Sequence, residues 1–284
     1  MEKYEPHTYY APAKINLGLS VAPKTQDGYH PIDSVMHTIA VGDVLTIEVG
    51  TAFELRTDGP EDIDPKANLV TKAYQWLLQQ EERIPRIRVH LQKTIPIGSG
   101  LGGGSTDAAA ILRWGREFLA FNPQMTSRVG MDVPFFLSGG AARVRGYGER
   151  VSPLPDRSGV SVLLLNPGFP VSTEMVYDLY DLMDNQKDSA IDDLVRAWSL
   201  GELVDDWPND LEPAAWLAYP ALRDFKDYIV RGLDGVRCYL SGSGGTYYCV
   251  GLDPEQASWY ADRMHQRGVP WARATRLTGT MIHE

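Results

Sequence analysis

Pro96-Ile97-Gly98-Ser99-Gly100-Leu101-Gly102-Gly103-Gly104-Ser105-Thr106 is the stretch on which the reading of this chain turns. Five of these residues lack a Cβ, so the backbone can curl tightly and leave its N–H groups bare. The loop runs into Asp107-Ala108-Ala109-Ala110-Ile111-Leu112, a strong helix start. A helix opening there adds unpaired N–H donors and the positive end of its dipole. Such a cradle suits phosphate, and the order of parts supports it: the apolar segment Ile87–Leu91, the glycine loop, then the helix from about Asp107. The bland alternative is a flexible turn.

Two familiar nucleotide folds do not fit. The loop holds no Gly-Lys pair, as a Walker A loop would require. A GxGxxG pattern can nearly be laid over Gly98–Gly103, but any glycine-dense run produces that match. No acidic residue closes a second strand at the distance ribose binding would want.

Outward from the loop, 284 residues suffice for one large or two modest domains. Two cysteines, Cys238 and Cys249, are too few for a disulfide framework; they could pair across a glycine-rich turn, but free thiols are the expectation. The amino terminus has no basic start followed by an apolar core, and no apolar run has the length of a membrane span. A formal charge of −10 opposes general nucleic-acid binding. The composition therefore points to a cytoplasmic globular protein with no nucleic-acid or membrane partner. Any anionic substrate must be met locally, and nothing in the sequence fixes the oligomeric state.

Ile15, Leu17 and Leu19 alternate with Lys14, Asn16, Gly18 and Ser20, the period of a half-buried strand. Gln26–Tyr29 reads as a turn, Val44–Val49 as a strand after Gly42-Asp43, and Asn68–Gln80 as a helix. The proline-containing stretch near Val151–Asp156 is the best boundary, dividing the chain into 1–152 and 153–284. After it come a strand at Ser161–Leu165, a turn at Asn166-Pro167-Gly168 and a helix near Ser172-Thr173. Acidic helical material over 178–206 reads as a solvated face, and Leu240–Gly245 as a second glycine-rich turn. The mixture indicates an α+β fold in two parts.

A phosphate cradle needs partners. Lys14 and Asn16, two apart on a strand, share one face while Ile15, Leu17 and Leu19 take the other. Taken alone, a mid-strand lysine is more often a solvated edge charge. Asp132, between Gly130 and the apolar Val133–Leu137, belongs at the inner edge of a domain, as a helix cap or as a general base near a cation. Phosphoryl transfer to an alcohol needs such a group to position the hydroxyl and take its proton. Tyr29 and His30 follow a turn glycine and could offer a flat heterocycle a stacking face; core packing and plain exposure are their ordinary roles. The histidines and cysteines show no ligand spacing, so no zinc site is expected.

Together these segments resemble the GHMP kinase superfamily, whose signature Pro-x3-Gly-Leu-Gly-[Ser/Gly]-x-Ser matches Pro96 through Ser105. The match narrows through Ala11–Leu17, Asp27–Ile32, Gly100–Ala109, Asp132–Phe136, Asn209–Glu212 and Leu240–Gly244, which keep the order of one branch. That branch acts on a cytidine diphosphate-linked methylerythritol in the non-mevalonate route to isoprenoids. The resemblance implies a two-domain GHMP kinase-like fold with the active site in the interdomain cleft, and residues near the carboxyl terminus can return to the first domain. It implies an ATP-dependent kinase using Mg²⁺, with Lys14 and Asp132 as the catalytic pair and Pro96–Thr106 around the ATP phosphates. Tyr29 and Tyr177 match the aromatics that flank the cytosine, with His30 reading the base edge, Asn16 and Thr173 making polar contacts, and Asn68 near the adenine. Thr173 and Tyr177 lie four apart, on one face of a helix.

Two features depart from the superfamily pattern. The stretch from Ser105 to Asp132 is shorter than usual, and Phe121-Asn122-Pro123-Gln124-Met125 breaks the helix expected there. Tyr177 stands where phenylalanine is frequent. The alternatives carried forward are another small-alcohol kinase of mevalonate or homoserine type and a non-catalytic nucleotide-binding regulator. An RNA-binding protein is opposed by the acidic balance and the absence of a basic stripe.

Overall fold

The computed structural model describes residues 5–59, 67–183, 191–204 and 206–279. The chain opens with β1 (His7–Val21) and β2 (Ile32–Val49), paired antiparallel over almost their full length, and continues through β3 (Glu54–Asp58), α1 (Leu69–Gln80) and β4 (Ile87–Gln92). The Val44–Val49 strand is thus the end of a longer one. Gly42-Asp43 reads as a turn signal but lies inside β2, where the register with β1 shifts between Pro12 and Ala13. A Cβ on Gly42 would lie 2.5 Å from the Ala11 carbonyl oxygen, so the glycine serves close strand approach.

The glycine loop leads into α2 (Gly103–Gly115), which starts four residues earlier than Asp107 because Gly103 and Gly104 already take helical conformation. A 3₁₀ turn (Pro123–Arg128) and α3 (Val133–Ser138) follow, then β5 (Ala141–Gly146) and β6 (Arg150–Pro153). These strands form a six-stranded sheet in the order β3-β4-β2-β5-β6, with β1 also on β2. Helices α1, α2 and α3 cover one face through Val70, Tyr74, Leu77, Ala108–Leu112, Trp114, Phe135 and Phe136. Burying this many large apolar side chains supplies the main stabilisation of the layer.

The second sheet runs β10-β7-β9-β8, built from β7 (Ser161–Asn166), β8 (Tyr239–Leu240), β9 (Tyr247–Val250) and β10 (Trp271–Arg276). All six residues of β7 are buried, as its unbroken apolar run requires of a strand covered on both faces. Leu163 and Leu165 pack with α4 (Thr173–Tyr180), α6 (Glu212–Ala218), α7 (Pro220–Gly232) and α8 (Pro254–Gln266). Val162 and Leu164 instead join Ala13, Ile15, Leu17 and Ile39 of the first sheet, so one apolar layer is common to both. Helix α5 (Ile191–Leu200) seals that layer with Ile191, Leu194 and Trp198, so part of the acidic 178–206 segment is amphipathic rather than wholly solvated. Residues 184–190 and 205 of it lie outside the described residues.

After β10 the chain touches the first sheet again. Leu277 bridges Ile39, and the Thr278 N–H donates to the Thr38 carbonyl at 3.0 Å. Cys238 and Cys249 are free and buried with their sulfurs 3.5 Å apart. Among the described residues no helix is long and apolar enough to cross a membrane.

Candidate active site

The glycine loop is gripped by its carbonyls. Gly98, Ser99, Gly100 and Leu101 accept hydrogen bonds from Val171 N (2.9 Å), Thr246 N (3.0 Å), Ser241 Oγ (2.9 Å) and Lys14 N (3.0 Å). Three of these donors belong to the second half of the chain and one to β1. With the carbonyls so directed, none of the N–H groups from Gly100 to Ser105 donates to a protein acceptor among the described residues. Gly98, Gly100 and Gly102 have φ of +60°, +74° and +73°, and Gly102 occupies the cap position of α2. The product is a row of unengaged donors leading into a helix N-terminus, a cradle for a polyanion.

The closest approach in the loop is at Gly100, where a Cβ would stand 2.1 Å from the Ser241 carbonyl oxygen. The second glycine turn is therefore packed into the first. Asn209 holds it there, its Nδ2 donating to the carbonyls of Leu240 and Gly242 at 2.8 Å each. Sequence reasoning noted the Leu240–Gly245 turn without giving it a place in the site; its glycine density was the available signal. Asn209 stood in the Asn209–Glu212 motif of the resemblance but was given no role in the site.

Lys14 lies beneath both loops. A Cβ on Gly102 would fall 3.2 Å from the lysine Cγ, and one on Gly242 would fall 3.4 Å from its Nζ. Its ammonium donates to Asn16 Oδ1 and stands 3.8 Å from Asp132 Oδ2. The lysine side chain is 5% exposed and the aspartate 26%, so the carboxylate faces solvent while the ammonium backs it. Burial lowers the Lys14 pKa from its ordinary value, and the Asp132 charge opposes that shift. Asp132 occupies the cap position of α3 without making a side-chain capping bond, which leaves its carboxylate unspent.

The shortened segment is accommodated. Asn122 Oδ1 accepts from Gln124 N at 3.0 Å and starts the 3₁₀ turn with Pro123 in its first turn. The break in the helix is thus a capped new element, and the chain still delivers Asp132 to Lys14. Asn16 is tied down: Nδ2 donates to Ser34 Oγ at 2.9 Å, its carbonyl accepts from Tyr248 Oη at 2.9 Å, and it is 4% exposed. Asn68 caps α1 through Val70 N at 2.9 Å and is buried beside Leu69, whose side chain neighbours Gly104.

On the far side, Tyr29 is 55% exposed and meets the Tyr147 ring edge-on at 5.9 Å. Tyr147 Oη donates to Asp27 Oδ2 at 2.8 Å, which ties the β5–β6 turn to the turn carrying Tyr29. Sequence reasoning did not single out Tyr147. The His30 ring sits 5.3 Å from that of Tyr177. Its Nδ1 faces the Ala22 carbonyl at 2.9 Å, and Nε2 lies 2.9 Å from Asp181 Oδ1, off line for a hydrogen bond. The imidazole is therefore turned inward, whereas the His30 backbone N–H and C=O have no protein partner among the described residues. Burial raises the Tyr177 phenol above its ordinary pKa, and Asp132's charge adds to the shift. Thr173 Oγ1 is 2.8 Å from Ser243 Oγ, which joins α4 to the second glycine turn. Lys14, Asn16 and Asp132 thus meet beside the glycine loops, while Asn16, Asn68 and the His30 ring are engaged by the protein itself.

Residues 68–140 match the profile described as the GHMP kinases N terminal domain. A homoserine kinase from Cytophaga hutchinsonii shares the fold at TM-score 0.68 and 17% identity, over 98% of this chain and 96% of that one. The class is therefore a GHMP kinase, an α+β enzyme of two parts that transfers phosphate from ATP to a small molecule. A 4-diphosphocytidyl-2-C-methyl-D-erythritol kinase of Thermus thermophilus is 34% identical over 92% of this chain and 94% of its own length. Another from Mesorhizobium japonicum is 35% identical over 86% of each chain. A crystal structure of 4-(cytidine 5'-diphospho)-2C-methyl-D-erythritol kinase superimposes at TM-score 0.79, with 33% identity over 96% of this chain and 99% of that one. The chain belongs to the 4-diphosphocytidyl-2-C-methyl-D-erythritol kinase family.

Proposed function

We infer that this chain transfers the γ-phosphoryl group of ATP to the 2-hydroxyl of 4-diphosphocytidyl-2-C-methyl-D-erythritol, in the cytoplasm, yielding the 2-phosphate and ADP. The observation that carries the residue-level reading is the convergence of unengaged N–H groups at Gly100–Ser105, the buried Lys14 ammonium and the half-exposed Asp132 carboxylate. The halves meet at that point and correspond to 1–152 and 153–284.

Asp132 accepts the proton of the attacking hydroxyl, the role this chemistry asks of a positioned base. Lys14, 3.8 Å away, orients the carboxylate and offsets charge developing on the transferred group. The loop from Pro96 to Thr106 holds the triphosphate by its N–H groups, and the buried start of α1 at Asn68 closes the nucleotide side. Tyr29 and Tyr177 flank the cytosine, and the edge of the base meets the His30 main chain rather than its imidazole. Thr173 and Asn16 line the passage between base and hydroxyl.

Mg²⁺ takes hard oxygen donors and usually keeps one or two protein ligands beside the substrate phosphates. The hydroxyls of Ser105 and Thr106 fit that set, and Thr106 Oγ1 is a buried oxygen with no partner among the described residues. The ion supplies charge neutralisation on the phosphates when bound.

The test offers the purified enzyme ATP with 4-diphosphocytidyl-2-C-methyl-D-erythritol, mevalonate or homoserine, and follows ADP release and product mass. Turnover of the cytidine-bearing alcohol alone is expected. Phosphorylation of mevalonate or homoserine in its place would end this reading, and no turnover with any acceptor would favour the regulator.

A further inference from the structure

Behind the glycine loop three buried side chains meet that the mechanism does not use. Lys93 precedes the loop and Asp107 follows it, while Asp43 reaches them from β2. Lys93 Nζ lies 2.5 Å from Asp43 Oδ2 and 2.8 Å from Asp107 Oδ2. Asp43 Oδ1 also accepts from Thr94 N at 2.5 Å and Ile95 N at 2.9 Å. Asp43 and Asp107 are 0% and 1% exposed, and the Lys93 side chain 6%. The ammonium lodges under the first turn of α2, where a Cβ on Gly103 would sit 3.2 Å from Nζ.

Burying ions is costly, and an apolar substitute of similar shape would often be as stable. Stability alone is thus a weak reason for such a cluster, whereas its placement supplies another. A single ammonium joins the strand end that enters the loop to the helix turn that leaves it, and Asp43 fixes the entry backbone to the sheet. Lys93 is also committed to two carboxylates, so it lends the loop geometry rather than charge.

We propose that the Asp43–Lys93–Asp107 cluster is the clamp that closes the phosphate loop, with Lys93 as a positioning residue that sets the enzyme's affinity for ATP without touching the acceptor alcohol. The proposal rests on the loop being the triphosphate site. A displacement of about 1 Å in a binding element can cost as much as 10²-fold, so a loosened clamp shows as weaker nucleotide binding.

The experiment measures KM for ATP, KM for 4-diphosphocytidyl-2-C-methyl-D-erythritol and kcat in Lys93→Met and Asp107→Asn, with thermal melts of each. The expected result is a KM for ATP raised about tenfold or more in Lys93→Met and less in Asp107→Asn, with the acceptor KM within about twofold of wild type. A merely structural role lowers the folded fraction, and so Vmax, while leaving both KM values unmoved; that result overturns the clamp, as does an equal rise in both. Asp107→Asn keeps the shape of the side chain and carries the test if Lys93→Met does not fold. Gly100→Ala, measured alongside, separates the two levels. If it retains wild-type nucleotide affinity, the loop reading itself fails; if it loses affinity while both cluster variants keep theirs, the clamp alone fails.

Discussion

Replacing Asp132 with asparagine leaves the size of the side chain unchanged and removes the carboxylate that stands 3.8 Å from the Lys14 ammonium. A positioned general base is worth about 10²–10⁴ in rate. That factor corresponds to about 3–5 kcal/mol of transition-state stabilisation, so kcat should fall by that range. KM for ATP should stay near wild type, because the loop N–H groups are untouched. A second consequence follows from Lys14. Burial lowers its pKa, and the aspartate is the charge that opposes the shift, so the variant lowers it further. A lysine that titrates lower in the fold than in the unfolded chain penalises folding at low pH. The penalty fades as pH rises toward the ordinary lysine value of 10.5. The melting temperature of Asp132→Asn should therefore lie below wild type at neutral pH and approach it as the buffer is made alkaline. The assay is ADP release under saturating acceptor, paired with melts across the same buffers. Turnover within about threefold of wild type, in a variant that melts as one folded species, would refute the base assignment.

Tyr29→Ala should raise KM for the acceptor by about 10–100-fold, the usual worth of a stacked base, with KM for ATP unmoved; equal changes in both would refute a stacking role. Gly100→Ala places a methyl 2.1 Å from the Ser241 carbonyl at φ +74°. The strain is on the order of 1–3 kcal/mol, and both melting temperature and ATP affinity should fall. Asp107 is pushed up to about 8 by burial, against Lys93 and with Asp43 adding to the rise. Its stabilising contribution is present in acid and lost as pH climbs through 8, so Asp107→Asn should lose less stability than wild type between pH 5 and 8 in urea melts. Parallel curves would show that Asp107 keeps its ordinary pKa.

Local signals carried well into the structure. The run around Ile15 becomes β1, though buried on both faces rather than half-buried, the Asn68 cap opens α1, and the glycine run feeds the open N-terminus of α2. What failed to show in the sequence depends on distant partners. Gly42-Asp43 carries the composition of a turn, yet strand pairing with Pro12 and Ala11 keeps it inside β2. Ser241 meets Gly100 across 141 positions, and no local pattern encodes such a contact. His30 was legible as part of the site but not in its orientation, because Ala22 and Asp181 turn the ring inward from outside its own segment. Lys93 looks like any lysine at a strand end until Asp43 and Asp107 are seen on either side of it.

A chain of net charge −10 that handles a triphosphate and a diphosphate ester faces an electrostatic problem, and the site suggests its solution. From Thr94 to Leu112 there is no lysine or arginine. Lys93, the basic residue next to that stretch, is engaged by Asp43 and Asp107, and Lys14 is shared with Asp132. On the proposed reading, the phosphate charge falls to backbone N–H groups and the α2 dipole rather than to spare side-chain cations. Donors fixed in a backbone cost little reorganisation when the phosphoryl group moves, but they act only while the loop keeps its shape. Such a site should be sensitive to whatever holds the loop and tolerant of changes in overall charge. Neutralising exposed acidic residues remote from the cleft should accordingly leave ATP affinity nearly unchanged, whereas a single methyl at Gly100 should not.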